Sequence, residues 1–384
     1  MVYSLKPELN ILVSPTSFKG SLTPVQAAEA ISAHIPPEFK VINLPVADGG
    51  DGTLEVLTGK LKGSFMEVDT INPLGKPIKA EYFLTENKTA IIELARASGL
   101  NLVCTEHCPA VYGSTRGTGK LVLSALDQKA STIMLTVGGS ATADGGVGIL
   151  KELGYRFLDS RGNEIREGGI GLNDIESIDV SGVDPRIFKI PLKILCDVDN
   201  PLLGENGGIA VYSPQKGASP HQVSLLVQGF AHLSNLIGKY RNKQIGDIPY
   251  GGASGGIPAV LSAFLEVEIH PGAELILEWL NFNEIIEEVD LIITGEGSFD
   301  QTTHNHKITS VILEKAKTLN KLAVVFCGEI NQSDPRIIAF SISPGICPKQ
   351  QLIAHAGKYL GLLTSRVFSL ISEIYMITSK SLQL

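Results

Sequence analysis

The sequence predicts an α/β protein built on a mostly parallel sheet, and three observations support this. Short apolar runs suited to buried strands alternate along the chain with segments of helical character. Glycine-rich turns, several of them carrying acidic side chains, follow many of those runs. With 384 residues the chain exceeds one ordinary core, so two domains are expected and a third is allowed.

The composition argues against several classes of function. A hydrophobic content of 43% with 19% charged residues is typical of a globular protein. A net charge of −8 without a basic stripe argues against a nucleic-acid or anionic-membrane surface. No apolar run approaches the ~18 residues of a membrane span, and the N-terminus does not resemble a signal peptide. The five scattered cysteines lack zinc-ligand spacing, so we expect reduced thiols in a cytoplasmic protein.

The N-terminal segment predicts a strand, a polar loop and a helix. Residues 11–14 are a short apolar run, and the loop that follows contains Lys19. Thr23, Pro24 and Gln26 then predict a helix start with a capping box. Because ligands bind at the carboxyl ends of strands in open α/β sheets, Lys19 is a candidate phosphate contact. A solvated surface lysine is the commoner alternative.

An acidic turn follows the second predicted strand, residues 41–46. The turn ADGGDGT at 47–53 combines Asp48 and Asp51 with three glycines. This pattern suits a magnesium- or hydroxyl-binding turn. An Asx turn at a helix start explains one of the two aspartates without a ligand, but explains both less well.

Residues 64–95 have strand-like alternation and a turn signal at 72–75, which predicts a small, partly antiparallel β region. The stretch 112–120 that follows is rich in glycine and hydroxyl groups and opens a helix. Its Arg116 and Lys120 are candidate anion contacts.

The stretch VGGSATADGGVG at 137–148 lies between an apolar run and a helical run. Its five glycines allow positive φ, and successive free N–H groups before a helix form an anion-binding concavity. Ser140 and Thr142 add hydroxyl donors, and Asp144 adds a carboxylate that a divalent cation could bridge to a phosphate. A tight strand-to-helix turn without a ligand is the alternative.

The second half of the chain continues the alternation of strands, acidic turns and helices. Strands are predicted at 192–196, before Asp197 and Asp199, and at 289–293, before a turn with Glu296 and Asp300. The glycine-rich stretch 251–256 is a hinge, a ligand loop or a plain linker. The remaining predictions are helices at 219–238, from Lys307 to 319 and at 364–378, and strands at 322–327 and 337–342.

Acids therefore follow four predicted strands, and lysines or arginines stand near most of them. In an open α/β sheet such loops converge at one edge. Carboxylates for Mg²⁺, glycine loops for phosphates and nearby lysines are the groups that phosphoryl transfer needs. The chain has no Gly-x-x-x-x-Gly-Lys-Ser/Thr loop and no protein-kinase signature, which excludes both of those classes.

Six motifs follow one another along the chain: SFKGSLT at 17–23, ADGGDGT at 47–53, GSATADGG at 139–146, DVDNPL at 197–202, PQKGA at 214–218 and TGEG at 294–297. Together they resemble the glycerate kinase family, in the type with SFKGSLT and DGGDGT motifs. The resemblance covers essentially the whole chain. It implies ATP- and Mg²⁺-dependent phosphorylation of D-glycerate, in most members to 2-phosphoglycerate.

The resemblance also implies two α/β domains with the active site in the cleft between them. We predict a discontinuous Rossmann-like parallel domain, residues 1–72 and 258–384, and an inserted mixed α/β domain, residues 73–257. D-glycerate is the expected small-molecule partner. No nucleic-acid or membrane partner is expected, and a homodimer is allowed.

The predicted site groups residues by role. Lys19, Asp48, Asp197 and Lys307 are predicted catalytic residues, and Asp48, Asp197 and Asp300 are predicted metal ligands. Substrate or phosphate contacts are predicted at Ser17, Asp51, Arg96, Gly139, Ser140, Thr142, Asp144, Glu296 and Asp300.

The chain departs from the family pattern after 295–297. Ser298 stands where the family usually has Arg, His306 where it has Gly, and Pro258 where Gly is common, while Lys307 keeps its place. The altered loop is expected to be less positive and stiffer. Two kinase alternatives remain: a kinase of a related hydroxy or sugar acid, and an enzyme forming 3-phosphoglycerate. A non-catalytic metabolite-binding relative is the alternative from another class.

Overall fold

The computed structural model describes residues 9–50, 52–107, 109–300, 307–331 and 334–381. The described residues divide into two compact units, those within 1–47 and 276–384 and those within 48–275. The changes of unit fall at 47/48 and 275/276, whereas the predicted domain boundaries were 72/73 and 257/258. The N-terminal difference arises because residues 63–71 form a strand of the second unit's sheet.

The strands and helices alternate as an α/β fold requires. The strands are β1 (Asn10–Pro15), β2 (Lys40–Asn43), β3 (Gly63–Ile71), β4 (Pro77–Thr85), β5 (Thr89–Glu93), β6 (Thr132–Thr136), β7 (Arg156–Leu158), β8 (Ser177–Asp179), β9 (Leu192–Cys196), β10 (Val267–Pro271), β11 (Leu291–Asp300), β12 (Leu322–Asn331) and β13 (Ile338–Ser341). The helices are α1 (Pro24–Ser32), α2 (Thr53–Thr58), α3 (Ala95–Ser98), α4 (Pro109–Tyr112), α5 (Arg116–Asp127), α6 (Val147–Glu152), α7 (Gly208–Tyr212), α8 (Pro220–Arg241), α9 (Ala253–Phe264), α10 (Gly272–Trp279), α11 (Phe282–Glu287), α12 (Ile308–Thr318), α13 (Lys349–Ala354) and α14 (Ala356–Ser381).

The first unit is built on a five-stranded sheet in the order β13-β12-β11-β1-β2, with all neighbours parallel. Its central strands are continuous apolar runs because both faces are covered. On one face Ile11 and Ile293 pack with Ile31 of α1 and with Phe368 of α14. The capping box predicted at Thr23 is present: its hydroxyl accepts the Gln26 N–H, and the Gln26 side chain accepts the Thr23 N–H.

Strand β11 continues further than predicted. The sequence places a turn at 294–300, but β11 extends to Asp300. The reason is that β12 is also long, so Ser298 and Phe299 pair in parallel register with Glu329 and Ile330. Glu296 therefore lies inside a strand and not in a turn.

The second unit contains a six-stranded mixed sheet in the order β10-β9-β6-β5-β4-β3. Strands β10, β9, β6 and β5 are parallel, and β4 and β3 add an antiparallel edge, as expected for residues 64–95. Helices including α5, α6, α8 and α9 supply side chains to its apolar core, which holds buried residues such as Leu121, Ile149, Phe230 and Leu261. The parallel strands place their carboxyl ends at one edge.

The glycine-rich stretch 251–256 is buried in the second unit and runs into the first residues of α9, where the backbone is not helical. Ser254, Gly255 and Gly256 have φ of 50°, 70° and 89°. The Gly255 carbonyl accepts the N–H of Gly145 at 3.0 Å, which ties this loop to the stretch 137–148. Among the described residues, no helix is both long and apolar enough to cross a membrane.

Candidate functional site

Three loops of the second unit meet at the carboxyl edge of its sheet. The N–H of Gly138 donates to the carbonyl of Gly49 at 3.0 Å. A Cβ at Gly138 would lie 2.3 Å from the Gly50 Cα, and one at Gly49 would lie 3.2 Å from the Leu195 carbonyl. Glycine is needed at these positions because the backbone segments approach one another too closely for side chains. The acidic turn after β2, the loop after β6 and the end of β9 are thus neighbours.

The turn at Asp48 is held by its own side chain and by a buried acid. Asp48 Oδ1 accepts the Gly50 N–H at 3.2 Å, an Asx turn of the kind that explains one of the two aspartates without a ligand. Glu93, only 4% exposed, accepts the N–H groups of Gly52 and Leu54 at 3.0 and 3.2 Å. The Asp48 side chain itself is half-buried. Its turn is therefore fixed, while the residue is not fully enclosed.

The carboxylate of Asp144 is enclosed by donors of the protein. Its oxygens accept from the N–H and hydroxyl of Thr115 at 2.8 and 2.9 Å, and from the N–H groups of Gly146 and Gly148 at 3.1 and 3.2 Å. Burial raises the pKa of Asp144, and the four hydrogen bonds oppose that rise. This geometry favours a role in organising the loop, since the carboxylate already has four partners.

The backbone on either side of Ser140 is also fixed. The N–H of Ala141 donates to the Ser98 carbonyl at 2.9 Å, and the N–H of Leu100 donates to the Gly139 carbonyl at 3.0 Å. Ser140 is 6% exposed and Thr142 is fully buried. The Thr142 hydroxyl has no hydrogen-bond partner within the described part of the chain. Such an orphaned buried hydroxyl is unusual in a folded protein.

Lys216 is a residue of this site that the sequence analysis did not assign. It ends a short 3₁₀ turn, Pro214–Lys216, and Gly217 reverses the chain with φ of 89°. Lys216 is 4% exposed, and its ammonium donates to Ser140 Oγ at 2.7 Å and to the Thr142 carbonyl at 2.8 Å. Burial lowers the pKa of Lys216 to about 8, although the charges of Asp197 and Asp144 oppose this. The motif PQKGA was the available signal, but a lysine in a motif does not reveal its partners.

Asp197 directly follows β9 and is half-buried. Its charge acts on both Lys216 and the adjacent Cys196, where burial and Asp197 together raise the pKa of the thiol. In the described ranges no three His, Cys, Asp or Glu side chains are grouped closely enough to hold a metal by themselves. Mg²⁺ in phosphoryl-transfer sites is held by one or two carboxylates together with substrate phosphates. Asp48 and Asp197, at the same sheet edge, fit that requirement.

The arginines predicted as anion contacts already have acidic partners. Arg96 lies 3.2 Å from Glu81 and 3.9 Å from Glu93, and it remains 40% exposed. Arg116 donates to Glu152 at 2.6 Å. Through Glu93, Arg96 is connected to the turn that carries Asp48.

The first unit places its predicted residues around the ends of β1 and β11. The N–H of Thr16 donates to the Gly295 carbonyl at 2.9 Å. A Cβ at Gly297 would lie 3.2 Å from the N atom of Lys19, so the loop after β1 lies against this part of β11. Ser17 is half-buried and Lys19 is exposed.

Glu296 and Lys307 complete the predicted residues of the first unit whose side chains are described. Glu296 is 8% exposed and pairs in register with Cys327, and burial together with Glu296 raises the pKa of that thiol to about 12. Lys307 is the residue before α12 and is half-buried. Asp51, the side chain of Asp300, and residues 301–306 of the altered loop lie outside the described residues.

The second unit therefore brings together the Asp48 turn, Asp197, Ser140, Thr142 and Lys216. Carboxylates can hold a divalent cation or accept a proton, and a buried ammonium with hydroxyl donors can bind an anion. These are the functions that transfer of a phosphoryl group requires.

Known proteins are similar to this chain in sequence and in architecture. The profile of the glycerate kinase family matches residues 11–372. The chain is 40% identical over 346 residues to a glycerate kinase of Halalkalibacterium halodurans, covering 88% of this chain and 91% of that protein. It is 38% identical over 326 residues to glycerate 2-kinase of Escherichia coli K12, covering 84% of this chain and 86% of that protein.

A solved structure agrees with these matches. The crystal structure of a Salmonella typhimurium LT2 protein assigned as glycerate kinase 2 superimposes with a TM-score of 0.79 at 33% identity, covering 96% of this chain and all of that chain. On a family match that spans almost the whole chain and relatives at these identities, the chain belongs to the glycerate kinase family and is a kinase.

Proposed function

We propose that the protein transfers the γ-phosphoryl group of ATP to D-glycerate in the presence of Mg²⁺ and forms 2-phosphoglycerate. The observation that supports the proposal is the grouping of acidic, hydroxyl and ammonium groups at the carboxyl edge of the second unit's sheet. There the Asp48 turn packs on the loop 137–148, and that loop contacts a buried ammonium beside Asp197. The E. coli relative, a glycerate 2-kinase, supports the 2-phosphate as product.

Asp48 and Asp197 would hold Mg²⁺ on the phosphates, with Asp300 as the third predicted ligand. When bound, Mg²⁺ neutralises negative charge on the phosphates. One of the two aspartates whose side chains are described accepts the proton of the attacking hydroxyl. Asp48 suits this role because the residue is half-buried and its carboxylate is held by the Gly50 N–H.

The loop 137–148 binds the anionic end of the substrate in this proposal. Gly139 allows close backbone approach, since its φ is 73°. Ser140 supplies a hydroxyl donor. In the first unit, Lys19 and Lys307 contact anionic groups, with Ser17 and Glu296 as neighbouring polar contacts.

The proposal is tested by ADP release from Mg-ATP with D-glycerate, followed by enolase coupling without phosphoglycerate mutase. We expect ADP formation and a signal through enolase alone, because enolase consumes the 2-phosphate. ADP without an enolase signal, restored by adding the mutase, would identify the 3-phosphate and contradict the assigned product. A higher kcat/KM with another hydroxy or sugar acid would replace D-glycerate as the substrate. Ligand binding without any ADP would contradict the kinase reaction itself.

A further inference from the structure

The ammonium of Lys216 and the hydroxyl of Ser140 form a directed pair inside the second unit. Lys216 has three N–H donors, and two of them are used by Ser140 Oγ and the Thr142 carbonyl. An ammonium cannot accept, so Ser140 Oγ is the acceptor in this contact. The Ser140 hydroxyl must then donate its own proton to another atom.

No acceptor for that proton is found in the described part of the chain. Ser140 is 6% exposed, and its backbone is fixed by the bridge to Gly99 and by the neighbouring hydrogen bonds. The orphaned hydroxyl of Thr142 lies two residues further along. The third N–H of Lys216 also lacks a partner among these residues. The hydroxyls of Ser140 and Thr142 in the loop 137–148, and the ammonium of Lys216 beside them, are thus left with unused hydrogen-bonding capacity, which indicates a ligand.

The buried ammonium, together with the unused hydroxyl donors of Ser140 and Thr142, favours an anionic ligand in addition to the Asp197 and Asp144 charges that act on it. A desolvated ammonium attracts a negative group far more strongly than an exposed one does, because the local dielectric is low. Near-complete enclosure of Lys216 and Ser140 suits one end of a small acid better than a magnesium-bound triphosphate. This step rests on the function proposed above, in which the substrate is a hydroxy acid.

We propose that Lys216 is a positioning residue that orients the Ser140 hydroxyl to donate its proton to the carboxylate of the substrate. Ser140 touches the carboxylate, and Lys216 acts through Ser140 by fixing the direction of its O–H bond. The contact is made in the ground state as well as in the transition state. Its loss should therefore appear mainly in KM for the acid and much less in kcat.

The test compares Lys216→Met, Ser140→Ala and the double variant. We expect each single variant to raise KM for D-glycerate by about 10- to 100-fold, the size of a charge-assisted hydrogen bond, with KM for ATP changed by less than about 2-fold. Because both act through one contact, the double variant should be no worse than the more affected single variant. Lys239→Met, which changes an exposed lysine of α8, is the matched control and should leave both KM values unchanged.

Three outcomes with folded variants would overturn the inference. They are an unchanged KM for D-glycerate in Lys216→Met, a raised KM for ATP instead, and losses that multiply in the double variant. If Lys216→Met does not fold, Ser140→Ala and Ser140→Thr decide. Threonine keeps the hydroxyl and should retain a KM for D-glycerate well below that of the alanine variant, and equal values would reject the role. A failure of the proposed function is distinguishable because wild-type protein would then not turn over D-glycerate at all.

Discussion

The hydroxyl and the backbone N–H of Thr115 both donate to Oδ2 of Asp144, at 2.9 and 2.8 Å. This pair joins the residue before α5 to the loop after β6. The Thr115 hydroxyl oxygen also accepts the N–H of Ile149 at 3.2 Å, so the contact continues into α6. Asp144 thus connects three segments of the second unit, and its burial makes every one of these hydrogen bonds costly to lose.

Asp144→Asn should lower the free energy of unfolding by about 3 kcal/mol, since an amide nitrogen cannot accept from the donors that surround it. Urea unfolding measures the change. Asp174→Asn is the matched control, because Asp174 is exposed and pairs with Arg166 at the surface. Its effect should stay within about 1 kcal/mol. An equally small effect at Asp144 would contradict its organising role.

Gly138→Ala should displace the turn that carries Asp48. The added Cβ would lie 2.3 Å from the Gly50 Cα, a backbone atom that cannot move aside alone. We expect a stability loss of about 1–3 kcal/mol and a fall in kcat/KM of about 10-fold or more, because small displacements of catalytic groups are costly. Both are measured on the same protein preparation by urea unfolding and by the ADP-release assay.

Gly238→Ala is the control for that variant. Gly238 lies inside α8, and its nearest neighbour would be 3.5 Å from the new Cβ, which is ordinary contact. Alanine in a helix should leave activity unchanged and add about 0.5–1 kcal/mol of stability. A Gly138→Ala variant with normal stability and kcat/KM would mean that the loops do not meet as closely as described.

Local features of this fold could be predicted from the sequence, whereas long-range partners could not. The capping box at Thr23 depends on residues three apart, and the strand 192–196 depends on a short, mostly apolar run. Lys216 donates to a residue 76 positions away, and Glu93 accepts from one 41 positions away. A single sequence has no signal for such pairs, since their side chains are polar and their partners lie far away along the chain.

The end of β11 shows the same limit for secondary structure. The glycines at 295 and 297 predict a turn, yet the segment is extended because β12 offers a partner along residues 298–300. Tertiary pairing overrides a local preference here. The turn at Asp48 is present where a local signal, glycines directly after a strand, indicates one, whereas the ligand-binding role of its aspartates stays a prediction.

Lys216 should make stability depend on pH between about 8 and 10.5. Burial lowers the pKa of Lys216 to about 8 from an ordinary value of 10.5. Between those values the unfolded chain holds the proton and the folded chain does not, so unfolding takes up a proton and stability rises with pH. The full effect is about 3 kcal/mol, since one pKa unit corresponds to ~1.4 kcal/mol.

The pH effect is isolated by subtraction, because other groups also titrate in this range. The unfolding free energy of wild type minus that of Lys216→Met should increase from pH 7 to pH 10.5. The same difference taken with Lys239→Met, an exposed lysine, should stay flat. A flat difference for Lys216→Met would show that the ammonium is not desolvated.

Asp48→Asn should lower kcat by about 100-fold if Asp48 accepts the proton of the attacking hydroxyl. The substitution is well matched to the structure, because the amide oxygen of asparagine can still accept the Gly50 N–H and preserve the turn. Asp69→Asn, at an exposed position of β3, is the control and should keep wild-type kinetics.

The rate is measured at saturating D-glycerate and ATP across a series of Mg²⁺ concentrations. A base and a metal ligand differ in this series: loss of a base lowers kcat at every Mg²⁺ concentration, while loss of a ligand raises the concentration that gives the half-maximal rate. An Asp48→Asn enzyme with unchanged kcat and an unchanged Mg²⁺ requirement would remove Asp48 from the mechanism and leave Asp197 as the aspartate of the second unit to test next.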